Sequence, residues 1–290
     1  MTIVAGFRCL NGVVLCADTQ ETFEYTKTNV PKLRFEQHKN KGEKDHADDL
    51  VIAMAGAGNG PFIDKLADRA WEDVQAADSF DGACLEIEES IKRTHKEFGQ
   101  IFQTGYLPEA RLVYAVKMQG DTKLFRAHGP LVSEHHEWTS DGTGHYLANF
   151  IGGRMYNFTL SLSQLTILAA YTIFQAKEFV DGCGGETHVA VLKNEGGSAR
   201  VREAEIKWIE QHIQTTDWFL DDILLKNADL DLGEKELEEA YAQHLNFLKT
   251  ARMNHVTSKV QTDAFIQMFT EAGKRVRAMR SASQKSEPKP

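Results

Sequence analysis

The sequence predicts an α+β fold with segregated layers. Along the chain the elements run strands, two helices, strands, one helix, strand, without the regular strand-helix alternation of a parallel sheet. Turn signals at Asn11-Gly12 and at Gln119-Gly120-Asp121 join neighbouring strands into hairpins. The apolar run LTILAAYTIFQAKEFV (165–180) has the length and composition of a core helix, and Ser161 with Gln164 ahead of it forms a capping-box signature.

Each element follows from its local pattern. Residues 2–10 and 13–18 flank Asn-Gly, the dipeptide suited to a type I′ turn, so Thr2 and Asp18 fall at the same end of a hairpin. The polar stretch TQETFEYTKTNVP carries no periodic signal. Lys32-Leu33-Arg34-Phe35 reads as a short strand after Pro31, and the charged segment 36–49 as an exposed loop. LVIAMAGAG (50–58) is a buried strand that runs into glycines. Two helices follow, the first with Phe62, Leu66, Ala70 and Trp71 on one side, the second beginning after SFDG with Ile87, Ile91, His95 and Phe98 at helical spacing. RLVYAVKM, TKLFRAH and LVSEHHEW form consecutive strands, SDGTGHYLANFIGG is a glycine-marked break, and THVAVLKN is the last long strand. GCGG ends the core helix, as glycine commonly does.

From Glu203 the chain becomes helical and charged, with Trp208, Ile209, Ile213, Trp218, Phe219, Leu237, Tyr241, Leu245 and Leu248 at helical intervals. The expected domains are therefore 1–202, an α+β domain, 203–280, a helical C-terminal extension, and 281–290, a disordered polar tail.

Composition excludes several function classes. With 42% hydrophobic residues, 290 residues can bury a sizeable core. A formal charge of −9 argues against a nucleic-acid partner, whose phosphates need a basic face. No stretch of 18 apolar residues and no signal-peptide pattern is present, so no membrane partner is expected and the cytoplasm is the default location. Cys9, Cys16, Cys84 and Cys183 have no paired spacing and read as free thiols. GAGNGP (56–61) lacks the third glycine of a dinucleotide loop and reads as a tight strand-to-helix turn. NADLDLGEKELEE places Gly233 one position late for a calcium loop, and adjacent His135 and His136 on a strand point to opposite faces. No metal or organic cofactor is expected.

Chemistry is expected at the amino end. Removal of Met1, which the small residue after it permits, would put a hydroxyl and an α-amine on Thr2, so that the nucleophile carries its own base. An α-amine has an unperturbed pKa of about 7.7–8.0, near working pH. Lys32 nearby would hold that pKa down and stabilise the alkoxide, with Asp18 keeping Lys32 charged and oriented.

The stretch TIVAGFRCLNGVVLCADT, with VPKLRF and MAGAG, resembles mature proteasome β-type subunits and the related bacterial heat-shock threonine protease, both N-terminal-nucleophile hydrolases. The resemblance runs over roughly residues 2–200. It implies a four-layer αββα sandwich, two antiparallel sheets between helical layers. It implies Thr2 as nucleophile, Asp18 as the acid after the second strand, Lys32 as the strand-start lysine and the Gly56 N–H as oxyanion donor. GTG (142–144) resembles the family's Gly-Ser-Gly, making Thr143 the supporting hydroxyl, and Asp181 before GCGG resembles the late supporting Asp. Cys183 or Gly184 stands where a Ser is expected. Met54 falls at the base of the pocket for the residue preceding the cleaved bond, which favours apolar side chains there. The implied activity is a threonine endopeptidase acting on peptides or unfolded protein, assembled as a homo-oligomeric ring, with an ATP-driven unfoldase as a candidate partner. A non-catalytic ring subunit and a small-molecule amidase are the competing readings.

Overall fold

The computed structural model describes residues 2–23, 26–38, 50–101 and 108–253. It divides into two compact units, Met1–Gln211 and His212–Pro290, the division falling inside one long helix. The tail expected over 281–290 lies outside the described residues, as does the segment 39–49 of the expected loop.

The first unit holds two five-stranded antiparallel sheets and one two-stranded ribbon. One sheet has β1 (Ile3–Cys9) and β2 (Gly12–Asp18) near its middle, with β10 (Trp138–Gly142) beside β1 and β11 (Thr187–Lys193) and β12 (Ala199–Arg200) beyond β2. The other runs β5 (Leu33–His38), β6 (Leu50–Gly58), β7 (Ala110–Met118), β8 (Asp121–His128) and β9 (Leu131–His135) in sequence order. Their facing sides share a core in which Val4, Val13, Leu15 and Ala17 meet Val51, Ala53, Val113, Ala115 and Leu124. The opposite face of the second sheet, with Ile52, Met54, Leu112, Tyr114 and Val116, is covered by α1 (Gly60–Val74) and α2 (Phe80–Ile101). α4 (Leu162–Phe179) packs along β1, β2 and β11. Alternation along the strands explains both cores, since successive side chains point to opposite faces.

Several local expectations change. The first hairpin does not turn on Asn11-Gly12: Cys9 pairs with Gly12, so Leu10 and Asn11 are the turn residues. Gly12 has φ of 153° and lies against the Leu192 carbonyl of the neighbouring strand, where a Cβ would collide. The left-handed pair that a type I′ turn requires occurs instead at Gln119 (φ 53°) and Gly120 (φ 75°), between Met118 and Asp121. The polar stretch after Asp18 forms the ribbon β3 (Gln20–Phe23) and β4 (Thr26–Asn29). LVSEHHEW does not stay in one sheet: β9 ends at His135, and β10 from Trp138 pairs with β1. The glycine-marked break contains α3 (His145–Met155).

The capping box at Ser161 is present, with Gln164 N donating to Ser161 Oγ and Ser161 N donating to Gln164 Oε1. α2 starts earlier than expected, at Phe80, with Gly82 N donating to Ser79 Oγ. GAGNGP is a strand-to-helix turn in which Asn59 caps α1 by accepting from Phe62 N at 3.0 Å.

α5 (Glu203–Ala228) contributes its first turns to this unit. Ile206 and Ile209 are buried, and Glu210 accepts from Lys177 Nζ and from Thr187 Oγ1, each at 2.6 Å. In the second unit, Phe219 lies 5.3 Å from His244 and 5.1 Å from Phe247, between the remainder of α5 and a helical run over residues 234–253. Trp218, Leu220, Leu224 and Leu225 of this unit are exposed.

Candidate active site

The site forms where the start of β1, the end of β2 and the approach to β5 converge, so it draws on both sheets. Asp18, the last residue of β2, is fully buried. Its Oδ1 accepts from Ile3 N at 3.1 Å and from Lys32 Nζ at 2.8 Å, and its Oδ2 accepts from Gly184 N at 3.1 Å. Such a carboxylate is held by two backbone donors and a cation, which satisfies it in a place no water reaches.

Lys32 sits just ahead of β5, and its side chain is only 11% exposed. Besides Asp18, its ammonium donates to the Gln20 carbonyl and to Thr2 Oγ1. Thr2 is buried. Its carbonyl accepts from Gly144 N at 3.2 Å, and Gly142, at φ 94°, passes so close to that oxygen that a Cβ would overlap it. Three expected residues, Thr2, Asp18 and Lys32, are thus brought into one hydrogen-bonded chain.

Two concavities meet at Thr2. One, of about 90 Å³, is lined by Thr2, Lys32, Met54, Gly56, Ile63 and Glu21 among others. Gly56 follows the last β5–β6 pair, Leu33 with Ala55, so it is the first residue of β6 beyond that ladder. A side chain there would press on Ile63 and Leu112. The other concavity, of about 450 Å³, is lined by Thr2, Gly142, Thr143, His145, Glu109 and Arg111 among others. Thr143 is exposed on its rim. Buried Asp141 holds Arg111 and Arg126 on this side and accepts from Gly142 N at 2.8 Å.

Asp181 lies exposed in the turn after α4, and it is the residues following it that reach the centre. Gly184 N binds Asp18, and the Gly184 carbonyl accepts from Gln20 N at 3.0 Å. Burial and then the charge of Asp18 push the Cys183 thiol up to about 12, which keeps it neutral and unsuited to act as a thiolate. Sequence reasoning did not find Gln20, Glu21, Gly144 or Arg111. Their parts depend on contacts between distant segments, for which the residues themselves carry no pattern. Among the described residues no group of three or more His, Cys, Asp or Glu side chains is placed to hold a metal ion.

This topology, with Thr2 leading into β1 of one of two packed antiparallel sheets, is a proteasome-like fold. Similar solved structures include Anbu proteins. Anbu (ancestral beta-subunit) from Yersinia bercovieri superposes with a TM-score of 0.65 at 14% identity, covering 80% of this chain and all of that one. The helical assembly of the Anbu complex from Pseudomonas aeruginosa gives 0.62 at 14% identity, covering 81% and 99%. A Gly-1 mutant of Anbu from Hyphomicrobium sp. strain MC1 gives 0.61 at 12% identity, covering 81% and 100%. No family model and no curated protein matches the sequence. The resemblance to classical proteasome β-type subunits and the heat-shock protease is therefore corrected: the structural neighbours are Anbu proteins, a distinct proteasome-like branch, and at this identity the likeness establishes the fold alone. The stretch that carried the resemblance builds the β1–β2 hairpin and the Asp18 turn, which the fold itself requires, so it does not separate one branch from another. Among the described residues no helix is long and apolar enough to cross a membrane.

Proposed function

We propose that the protein is a threonine-type peptidase built as a four-layer αββα sandwich over 1–202, with the helical extension 203–280 outside the catalytic machinery. The observation that carries the reading is the ammonium of Lys32 donating to Thr2 Oγ1 while held by the buried carboxylate of Asp18. A solvated surface lysine would not be fixed in this way, and a non-catalytic subunit has no need of a buried cation on a hydroxyl.

The chemistry requires removal of Met1. Thr2 Oγ1 then attacks the carbonyl carbon of the peptide bond and its proton passes to the Thr2 α-amine, helped by the Lys32 charge beside the forming alkoxide. The Gly56 N–H receives the oxyanion. Collapse breaks the C–N bond, the α-ammonium returns the proton to the leaving amine, and water hydrolyses the ester on Thr2. Thr143 supplies a hydroxyl at the rim, and the turn from Asp181 supports the centre through Gly184. Met54 lines the cavity that receives the side chain preceding the cleaved bond. The chain works without metal or cofactor, in the cytoplasm, on peptides or unfolded protein.

Self-association fits an apolar strip on α3 and just beyond it, where Tyr146, Phe150, Met155 and Phe158 are exposed. One neighbour is a helical assembly, which makes an open helix a rival to a closed ring for this chain. An ATP-driven unfoldase is the partner such an assembly would use.

The test is intact mass together with turnover. Loss of one Met from active protein is expected, and Thr2→Ala should abolish hydrolysis of a mixed peptide set while Thr2→Ser keeps part of it. Active protein that quantitatively retains Met1 would refute the mechanism.

A further inference from the structure

We infer that the cavity on the Met54 side of Thr2 selects a side chain with an apolar stem and a cationic head, lysine or arginine, immediately before the cleaved bond. The inference rests on Thr2 acting as the nucleophile, and it revises the apolar preference expected from Met54 alone.

The cavity is lined by four charged side chains, Glu21, Lys32, Arg34 and Asp64. Lys32 is committed to Asp18 at 2.8 Å. Arg34 is committed to Asp64, with Nη2 at 2.8 Å and Nε at 3.3 Å from the same Oδ1. Glu21 is left over: among the described residues it has no ion-pair partner. Beyond the wall, Asp68 and Glu36 act on Arg34 as well as Asp64, so that guanidinium is more than compensated by its neighbours. The four lining charges are equal in number, but both cations are held by carboxylates, which leaves Glu21 as the unmatched charge of the lining.

Glu21 reaches the start of α1. Its Oε1 lies 2.9 Å from where a Cβ on Gly60 would stand, so glycine at 60 leaves room for the carboxylate. It sits at the amino end of α1, whose partial positive charge, about half a unit, is too small to cancel a full negative charge. The rest of the lining is apolar or small, with Met54, Ile63 and Ala67 buried in the wall and Val30 and Pro31 at its edge. This combination suits a long aliphatic stem that ends in a charge, because such side chains lay their methylenes on apolar surface and keep their heads on a polar group. An acidic side chain would meet Glu21 unscreened. A neutral apolar one would leave Glu21 desolvated and unpaired.

The experiment has two arms, each on the full chain. In the first, peptides differing only in the residue before the cleaved bond are compared by kcat/KM. Arginine should exceed leucine by about ten- to hundredfold, the worth of one hydrogen bond to a charged group, and Glu21→Gln should remove most of that ratio. Glu21→Arg should turn the preference toward glutamate. In the second arm, Thr2→Ala protein, which cannot turn over, is titrated calorimetrically with benzamidine and with neutral benzamide. Benzamidine should bind one to one, more weakly when Glu21→Gln is added, and benzamide should not. Preference for leucine or glutamate in the parent, or benzamidine binding that ignores Glu21, would overturn the inference and leave the peptidase reading intact. Glu21-dependent benzamidine binding in a protein that cleaves no peptide would overturn the peptidase reading while the cavity's choice of cation stands.

Discussion

Asp18→Ala tests whether the centre is held as tightly as its geometry implies. The carboxylate is fully buried and carries three contacts: Lys32 Nζ at 2.8 Å and the backbone N–H groups of Ile3 and Gly184, each at 3.1 Å. Removing one partner of a buried ion pair costs about 3–5 kcal/mol. The two orphaned N–H groups add to that, at about 1–3 kcal/mol each where water cannot reach them. Lys32→Met should cost less, because Asp18 keeps both backbone donors, and the Lys32 side chain at 11% exposure is nearer to solvent than Asp18. For a unit of about 200 residues, 3–5 kcal/mol corresponds to a melting temperature lower by about 6–20 °C. Scanning calorimetry and urea unfolding of both single variants and the double variant supply the measurement, with Asp18→Asn in reserve if Asp18→Ala does not fold. The double variant should cost less than the two losses added, with a coupling of about 1–3 kcal/mol. A loss under about 1 kcal/mol for Asp18→Ala, the value of an exposed pair, or strict additivity would refute the description of a buried, coupled centre.

Three further outcomes are expected. Gly142→Ala introduces a side chain at φ 94° against the Thr2 carbonyl, so it should destabilise by about 1–3 kcal/mol and displace Thr2, read under the proposed peptidase function as a fall in kcat. Burial lowers the pKa of His95, whose ring lies edge-on to Phe62 at 4.9 Å, and of His188. Below an unfolded value of about 6.5 the unfolded chain then binds more protons than the folded one, so stability should fall as pH drops through that range, and His95→Phe should reduce the fall in melting temperature between about pH 7.5 and about pH 5.5. Truncation after residue 202 should cost more stability than truncation after residue 211, because Ile206 and Ile209 are buried in the first unit and together contribute about 3–6 kcal/mol, with Glu210 bonded to Lys177 and Thr187 in addition. Equal melting temperatures for the two truncations would show that these turns of α5 add nothing to the first unit.

What the sequence made legible was whatever rests on a local period. The strands of both cores alternate or run apolar, α1 and α2 show their buried stripes, and the Ser161 box names the start of α4. The β3–β4 ribbon was illegible because β4 is exposed along its whole length, which leaves no alternation to read. α3 was hidden by its glycines. Gly152 looks like a helix breaker in sequence, yet the ring of Trp138 lies flat against it, 2.9 Å from where a Cβ would be, so glycine is the packing residue there. The Asn11-Gly12 turn misled in the opposite sense, since Gly12 serves its approach to β11.

The candidate site divides the same way. Thr2, Asp18 and Lys32 could be nominated because each sits at the end of a strand whose pattern is plain, and the packing of the two sheets then joins strand ends that are 14 to 30 residues apart in the chain. Glu21 and Gln20 could not, because they belong to the ribbon that shows no pattern. The same ribbon supplies the Gln20 carbonyl to Lys32 and the Glu21 carboxylate to the neighbouring cavity, so one polar segment both fixes the cation beside Thr2 and places a charge in the pocket next to it. A substitution in β3 should therefore move activation and selectivity together when it shifts the backbone, but selectivity alone when it changes only the Glu21 side chain. That difference separates a structural from a recognition role at this position.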